Sequence, residues 1–502
     1  MQSVLCTAEL PAFDRSTGQL SLAQHHLVSS PLSILGNFST AHALLFDRPP
    51  AQAYQQPSAA DVTDEQPRQK RRRKSRPDES SSPADWALHR DKLERQSTTD
   101  RQSDEHHASI SLGLSAAIDA VRDAWLGQRA DDDGWMGKLD ERVVWRDGGD
   151  AREELNLVGL AAEQADEGPS ELLRLEGSAA QLPLASLFRR IVVNDSQISP
   201  VRVQVTQKEA EEEAIAARLL VPPSSGFLVS DMSTWSARSS GIAQLGRSLG
   251  GWDVLLIDPP WPNASATRSS SYETFDPYDL WKLDVPALLN DKPALVCVWL
   301  TNRVKVPSLS ALLTFSCSCV VAQFRRLVKD KLFPAWRIKQ TAEWYWIKIA
   351  SRSGEPVWSL EAKNRRCYEG LLLGYYVPPG AKKLVLPTLP TDKVFLSTPI
   401  GHSRKPVLID IFRPFLLDSR KPPNVLDLFA RMTLAGPPSA SVDSDTTATV
   451  ADGVERGFFL AVGNEAVKFN VVDEAAGPVR GWVREGALAP PERARELSEE
   501  PS

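Results

Sequence analysis

The chain has 502 residues, enough for one large or two ordinary domains with linkers. Its 58 basic and 64 acidic side chains give a formal net charge of -6, which excludes a uniformly basic coat, so any contact with nucleic acid must come from local patches. The five cysteines include one close pair, Cys317 and Cys319, and provide neither a disulfide framework nor a zinc spacing, which favours a reducing compartment.

The first 107 residues are predicted to be largely disordered, because the apolar periodicity is lost near residue 48. The opening residues lack a basic start followed by an apolar block, and no later segment has eighteen uninterrupted apolar residues. A soluble, non-secreted protein without a membrane segment is therefore expected.

A compact basic run, KRRRK at residues 70–74, lies between Pro67 and Pro77. Short basic runs in accessible segments are typical of nuclear import signals. The alternative is a solvated charge run that contacts phosphate non-specifically or contacts nothing. We expect a nuclear protein, with the cytosol as the alternative.

Residues 108–215 are assigned to a small accessory α+β domain of unknown role. The segment SLGLSAAIDAVRDAWLG spaces its apolar residues for one buried helical face. The segment SLFRRIVVNDSQISPVRVQV indicates strands around an Asn-Asp turn, and EAEEEAIAARLLVPPSSG indicates a helix ended by prolines.

Residues 216–475 alternate strand and helix signals, and a polar tail occupies residues 476–502. The apolar runs GFLVSDM, WDVLLID, ALVCVWLTN and VLDLFAR are typical of strands buried on both faces of a mostly parallel sheet, which predicts an α/β fold. Ligands of such sheets bind at the carboxyl ends of the strands. The Gly-x-Gly-x-x-Gly pattern is absent, so a dinucleotide or nucleoside triphosphate is not favoured.

The tetrapeptide Asp258, Pro259, Pro260 and Trp261 ends one of these strands. Each proline locks its φ angle and lacks a backbone N–H, so the carboxylate and nearby carbonyls stay fixed as acceptors beside a flat indole. Two acceptors and a stacking face suit the exocyclic amino group of a planar base, where positioning could direct its lone pair at an electrophilic methyl group. The alternative is a local turn with a core tryptophan.

Nine ordered motifs resemble the MT-A seventy-kilodalton family of adenine methyltransferases, most closely its methyltransferase-like protein 4 branch. The resemblance covers roughly residues 217–473. Its blocks are FLVSDMS, LIDPPW, WLTNR, LFPAW, AEWYWIKI, YEGLLLG, HSRKP, LDLFAR and GNEAVKF.

The resemblance implies a Rossmann-like, class I methyltransferase domain with a permuted motif order. It further implies S-adenosylmethionine as the cofactor, no metal, and transfer of a methyl group to the 6-amino group of adenine in nucleic acid. By the same resemblance, the catalytic residues are Asp258, Pro259, Pro260 and Trp261.

The resemblance also implies binding residues for the cofactor and for the target base. Those assigned to the cofactor are Asp231 and Met232 beside its adenine, Asp258, Lys405 at its methionine carboxylate, and Arg431, Asn464 and Glu465 around its ribose. Trp261 and Glu369 are assigned to the target base. Taken singly, such side chains are more often surface charges, ion-pair partners or turn residues than functional ones, and the ordered motif set reverses that preference.

Two segments depart from the family pattern, at about residues 306–323 and 437–453. The first is apolar and is either an extra packed element or retained intron sequence; the second has the composition of a disordered loop.

Three functions remain open from the sequence. The favoured one is methylation of RNA, with 2'-O-methyladenosine in a small nuclear RNA as a candidate target. The second is the same chemistry on DNA, and the third is a non-catalytic nucleic-acid-binding subunit of a methyltransferase complex. A protein partner is not identified by any motif. The acid of DPPW and the lysine of SRKP favour catalysis over the third function.

Overall fold

The computed structural model of the protein describes most of residues 171–473 and three segments before them. The described ranges are 4–13, 20–28, 105–123, 171–188, 190–209, 212–232, 241–261, 277–301, 324–349, 355–362, 366–381, 384–391, 393–397, 405–438, 455–473 and 477–478. The basic run, the first family departure and nearly all of the second lie outside these residues. So does the polar tail, except residues 477–478.

Seventeen strands are present among these residues, numbered here in chain order. They are β1 (Val4–Phe13), β2 (Leu20–Val28), β3 (Leu172–Arg174), β4 (Ala179–Pro183), β5 (Ile191–Asn194), β6 (Val201–Glu209), β7 (Glu212–Val221), β8 (Ser225–Val229), β9 (Val254–Ile257), β10 (Ala294–Trp299), β11 (Ile338–Lys348), β12 (Tyr368–Tyr376), β13 (Val394–Ser397), β14 (Val425–Leu428), β15 (Phe459–Gly463), β16 (Val472–Asp473) and β17 (Gly477–Pro478).

Helices connect the strands on both sides of the sheet. They are α1 (residues 105–123), α2 (Ile242–Ser248), α3 (Val285–Leu289), α4 (residues 324–335, with a π-helical part at Leu327–Leu332) and α5 (Ile409–Phe412). Short 3-10 helices occur at Leu184–Leu187, Pro277–Lys282, Arg413–Phe415 and Lys468–Asn470. None of the helices within the described ranges is long and apolar enough to cross a membrane.

A twelve-stranded sheet organises the molecule, in the order β1-β2-β13-β11-β12-β10-β9-β14-β15-β8-β5-β3. Its centre, β10-β9-β14-β15-β8, is entirely parallel. The predicted α/β fold with buried parallel strands is confirmed. β14 and β15, late in the chain, lie between β9 and β8, so strand order in space differs from strand order in sequence.

Alternation along the strands gives the sheet two apolar faces. Val254 and Val425 belong to a core that also contains α5 and the small sheet β4-β6-β7, which we call the α5 face. Leu255 and Ile257 belong to a core shared with α2, α3 and α4, which we call the α2–α4 face. Continuous apolar sequences result because the central strands are covered on both sides.

Helix α1 covers β11, β12 and β13 with one apolar stripe. Leu114, Ala117, Ile118 and Val121 recur at helical spacing and are buried. They pack in one cluster with side chains of β11, β12 and β13, Ile347 among them. The predicted helix is confirmed, and it begins three residues inside the region expected to be largely disordered.

Part of the predicted accessory domain contributes strands to the main sheet. Its strands β3 and β5 extend the main sheet through β8, and the proposed boundary at residue 215 cuts β7. The first 107 residues contribute β1 and β2, which join the sheet through β13. Backbone pairing across long sequence separations, which composition does not reveal, places these strands.

The helix predicted within residues 209–226 is wrong, because this segment forms β7, paired antiparallel with β6. Its Ala and Glu content favours a helix, but Ala217, Leu219 and Val221 alternate into the core. Pairing and burial at period two override the local propensity.

Replacing Ile118 by Ala should lower the free energy of unfolding of the full chain by about 2–5 kcal/mol, because it leaves a cavity between α1 and the sheet. Urea unfolding followed by tryptophan fluorescence measures this change. Leu112→Ala on the same helix is the matched control, since Leu112 is 83% exposed, and it should change stability by less than about 0.5 kcal/mol. Equal effects of the two substitutions would contradict the packing role of α1.

Candidate active site

The carboxyl ends of the parallel strands bring acidic side chains to one edge of the sheet. Asp258 directly follows β9 and continues the alternation of Val254 and Leu256 on the α5 face. Glu369 lies at the start of the antiparallel β12, which brings it to the same edge, and the Leu300 N–H donates to the Gly370 carbonyl at 2.8 Å. The two acids therefore converge although 111 positions separate them in the sequence.

Lys405 lies between these two acids. Its Nζ is 2.6 Å from Oε2 of Glu369 and 3.3 Å from Oδ1 of Asp258. The ammonium also lies 5.0 Å from the centre of the Trp299 ring, within cation–π range. The side chains of Lys405, Asp258 and Glu369 are each about one-fifth exposed. The structure thus joins three residues that the sequence assigned to three different roles.

Burial and ion pairing compete in setting the charges of this group. Burial raises the pKa of Asp258, and the attraction of Lys405 opposes it only in part. Burial also acts to raise the pKa of Glu369, but Lys348 and Lys405 outweigh it and lower that pKa to about 2. Burial disfavours the Lys405 ammonium, yet Asp258 and Glu369 outweigh it and raise its pKa. Glu369 and Lys405 are therefore ionised at neutral pH.

The turn that follows Asp258 is held by three hydrogen bonds. The Asp258 N–H donates to the Leu428 carbonyl at 3.1 Å, and the Trp261 N–H donates to the Pro259 carbonyl at 2.7 Å. The Trp261 indole N–H donates to the Trp299 carbonyl at 2.8 Å. One acceptor site of the Pro259 carbonyl is therefore already used.

Trp261 is more enclosed than a free stacking platform. It is 4% exposed, and its ring packs against Phe324, the first residue of α4, with centroids 4.5 Å apart. The interpretation of this tryptophan as a core residue is thus correct for much of its surface.

A second charged group lies after β14 and β15, one and two strands away from β9 in the sheet. Glu465 receives Arg431 at its Oε2, 3.0 Å from Nε, and Lys468 at its Oε1, 2.7 Å from Nζ. Burial acts to raise the pKa of Glu465, but the two cations outweigh it and lower the pKa. The Phe469 N–H donates to the Arg431 carbonyl at 3.1 Å, which links the loops after β14 and β15.

Asp231 and Asn464 follow neighbouring parallel strands at the same edge. The Ser230 N–H donates to the Gly463 carbonyl at 3.3 Å, which brings the segment after β8 beside the segment after β15. Asp231 and Asn464 are partly exposed, whereas Met232 is buried within the α2–α4 face. Met232 therefore supports the loop that carries Asp231.

A cleft opens on the α5 face between the strand ends and residues 405–409. Of the sequence-predicted residues, Asp258, Lys405 and Arg431 line it. The others lie outside its lining, namely Asp231, Met232, Pro259, Pro260, Trp261, Glu369, Asn464 and Glu465. The described residues contain no group of three or more His, Cys, Asp or Glu side chains that could hold a metal ion.

Three charged residues of this region were not identified from the sequence. Asp427 lines the cleft from β14, and burial together with Asp258 raises its pKa well above the ordinary value. Lys348 and Lys468 bind Glu369 and Glu465. Asp427 and Lys348 are the only charged residues in otherwise apolar stretches of β14 and of the second half of β11, and this signal could have marked both.

The aromatic residues of β11 pack within the sheet. Trp344, Tyr345 and Trp346 are all buried. The Trp344 indole N–H donates to the Pro390 carbonyl, and that of Trp346 donates to the Ser397 hydroxyl, both at 2.7 Å. These three aromatic residues therefore belong to the core of the sheet.

The sequence matches the MT-A70 family model over residues 252–315 and 318–442. The human N(6)-adenine-specific methyltransferase METTL4 is 31% identical over 294 residues, which cover 57% of this chain and 49% of the relative. The N6-methyladenosine RNA methyltransferase MTA1 of Pyricularia oryzae is 30% identical over 236 residues, 45% of this chain and 54% of the relative. The chain thus spans about half the length of the curated relatives it matches.

Among solved structures, PvuII DNA methyltransferase, described as cytosine-N4-specific, is similar over 42% of this chain and 76% of its own. The identity is 14% and the TM-score is 0.24. A similarity this low carries no structural or functional conclusion.

Replacing Lys405 by Met should lower the free energy of unfolding at pH 7 by up to about 3–5 kcal/mol, because two partly buried acids lose their shared cation. The exposed pair of Lys282 with Asp279 supplies the control: Lys282→Met should cost less than about 1 kcal/mol. In a double-mutant cycle, the variant with both Lys405→Met and Glu369→Gln should lose less stability than the sum of the losses in the two single variants.

The stability that the protein gains from the ion pairs of Glu369 with Lys348 and Lys405 should decrease at acidic pH. Its pKa is about 2 in the folded protein against an ordinary 4.5, so the contribution is complete above pH 4.5 and is lost as the pH falls toward 2. The coupling in the cycle should therefore stay constant from pH 7 to 5 and shrink at lower pH. A coupling that does not change with pH would contradict the ion-pair assignment.

Proposed function

Because residues 252–315 and 318–442 match the MT-A70 family model, we propose that the protein transfers a methyl group from S-adenosylmethionine to the 6-amino group of adenine in nucleic acid. The observation that carries this proposal is the order of polar side chains along one edge of the sheet. RNA is the favoured polymer.

Four neighbouring parallel strands supply this order. Asp231 follows β8, Asn464 and Glu465 follow β15, Arg431 follows β14, and Asp258 follows β9. The roles assigned to them through the family resemblance run in the same order, from the adenine through the ribose to the methionine end of the cofactor. Three spacings between strands amount to about 14 Å, a length that suits an extended nucleoside with a side chain.

The side chains of the cleft fit such a cofactor chemically. Lys405 offers an ammonium to a carboxylate, and Asp258 and Asp427 offer carboxyl oxygens to an ammonium. The remaining lining is mostly apolar. When bound, S-adenosylmethionine supplies an electrophilic methyl group.

In this proposal, the residues at the edge position the target amine rather than form a covalent bond to it. Asp258 accepts a hydrogen bond from the amino group, and the rigid turn at Pro259 and Pro260 holds the carboxylate in place. Lys405 opposes in part the rise in the pKa of Asp258 that burial causes, and so favours an acceptor without a proton. Glu369 holds Lys405 from the side of the target base.

RNA is favoured over DNA because the Pyricularia oryzae relative is named as an RNA methyltransferase. The name of the human relative specifies adenine without a polymer, so DNA stays the alternative substrate. A non-catalytic binding subunit is disfavoured, because Asp258 and Lys405 are both present and form an ion pair. The basic run at residues 70–74 supports a nuclear location, where 2'-O-methyladenosine in small nuclear RNA is a candidate target.

Replacing Asp258 by Ala should abolish methyl transfer while S-adenosylhomocysteine still binds, since the acceptor for the amine is lost and Lys405 keeps Glu369 as a partner. Transfer of label from radioactive cofactor measures activity, and calorimetry measures binding. Asp279→Ala, at an exposed ion pair, should leave both unchanged. Wild-type activity in Asp258→Ala would overturn the catalytic assignment.

Matched oligonucleotides should separate the candidate substrates. We expect methylation of single-stranded RNA that contains adenosine or 2'-O-methyladenosine to exceed that of single-stranded DNA of the same sequence, at equal salt concentration. The methylated nucleoside is identified by mass spectrometry after digestion. Higher activity on DNA would replace RNA with the alternative, and no activity on any substrate would favour the binding subunit.

A further inference from the structure

Lys348 is the fourth charged side chain at the edge where the two acids meet. It is the last residue of β11, which runs parallel to β10, and it continues the alternation of Trp344 and Trp346 on the α5 face. Its Nζ lies 2.5 Å from Oε1 of Glu369 and 4.8 Å from the centre of the Trp346 ring. Its position in the fold therefore determines both its ion-pair partner and the face of the sheet to which its side chain points.

Together these side chains form a row of alternating charge: Lys348, Glu369, Lys405 and Asp258. Each lysine takes one oxygen of Glu369, and only Lys405 also reaches Asp258. The row carries two positive and two negative charges, so it is neutral when all four groups are ionised. A neutral row is the arrangement that a partly buried group of charges requires.

We propose that Lys348 is a positioning residue for methyl transfer: by binding Oε1 of Glu369, it leaves the Lys405 ammonium shared between Glu369 and Asp258. This inference rests on the proposed function. Lys348 does not touch the reacting atoms in this scheme. It acts through Glu369 and Lys405 on the acid that accepts the target amine.

The balance of charges in the row explains why Lys348 affects Asp258. Without Lys348, one ammonium faces two acids, and it is already closer to Glu369, at 2.6 Å, than to Asp258, at 3.3 Å. One surplus negative charge in a buried site is relieved by binding a proton. The proton would be held by Asp258 and Glu369 as a coupled pair, and a protonated Asp258 is a poorer acceptor for the amine.

The other charged groups facing Asp258 do not replace Lys348. Arg431 lies close enough to influence Asp258, but its Nε is bound to Glu465. Asp427, on the neighbouring strand β14, interacts unfavourably with Asp258 and adds no positive charge. Lys348 is thus the cation that balances the second acid.

The first test is the pH dependence of kcat/KM in variants of Lys348. In Lys348→Met and Lys348→Gln, the acidic limb of the profile should move upward by about one pH unit or more, since a cation next to a carboxyl lowers its pKa by about that much. Lys348→Arg should restore the wild-type profile. Lys292→Met removes a partly buried lysine paired with Asp253, away from this row, and should leave the profile unchanged.

The second test needs no methyl transfer. Infrared difference spectra at pH 7 should show one more protonated carboxyl group in Lys348→Met than in the wild type. Adding either Asp258→Asn or Glu369→Gln should remove that band, because each restores neutrality. Lys348→Gln keeps a hydrogen-bond donor without the charge and should behave like Lys348→Met. It therefore provides the same test if Lys348→Met does not fold.

The outcomes separate the two proposals. If the wild type does not methylate any substrate, the proposed function fails, while the infrared comparison still tests the role of Lys348. A uniform loss of kcat at every pH, with no additional carboxyl band, would overturn the inference and leave Lys348 a structural residue. Failure of Lys348→Arg to restore the profile would overturn it as well.

Discussion

The rest of the site depends on one partly buried ammonium group, that of Lys405. Asp258 and Glu369 face each other at the edge of the sheet, where two carboxylates without a cation could not both stay ionised. The Trp299 ring beneath the lysine adds a contact that favours its charged form. The strands around this group serve to bring acids from separate parts of the chain within reach of one cation.

Two properties of the sheet bring these side chains together: the direction of each strand and the alternation of side chains along it. Parallel strands place the residues after β9 and β14 at one edge, and the antiparallel β12 contributes from its beginning instead of its end. Period-two alternation then selects the face, so that Asp258, Glu369 and Lys348 all point to the side of α5. A shift of one residue in the register of any of these strands would turn its charged side chain into the apolar core on the other face.

Much of this arrangement could be predicted from local sequence. The apolar runs indicated the central parallel strands, and the DPPW turn marked Asp258 by its residue types alone. The segment at β7 could not be predicted in the same way, because its alanines and glutamates favour a helix and only pairing with β6 makes it a strand. Lys348 was missed for a related reason: a lysine at the end of an aromatic strand acquires its meaning from Glu369, on another strand.

The position of β15 has a consequence for how the chain can fold during synthesis. This strand is the only one that links the block β3-β5-β8 to the rest of the main sheet within the described residues, and it comes from residues 459–463. A ribosome releases it after all the other strands of that sheet. Until then, β8 and β14 present open edges, which are prone to pairing with other chains. A chain that stops before residue 459 would therefore leave β8, which precedes Asp231, unconnected to β14 and β9 in the main sheet.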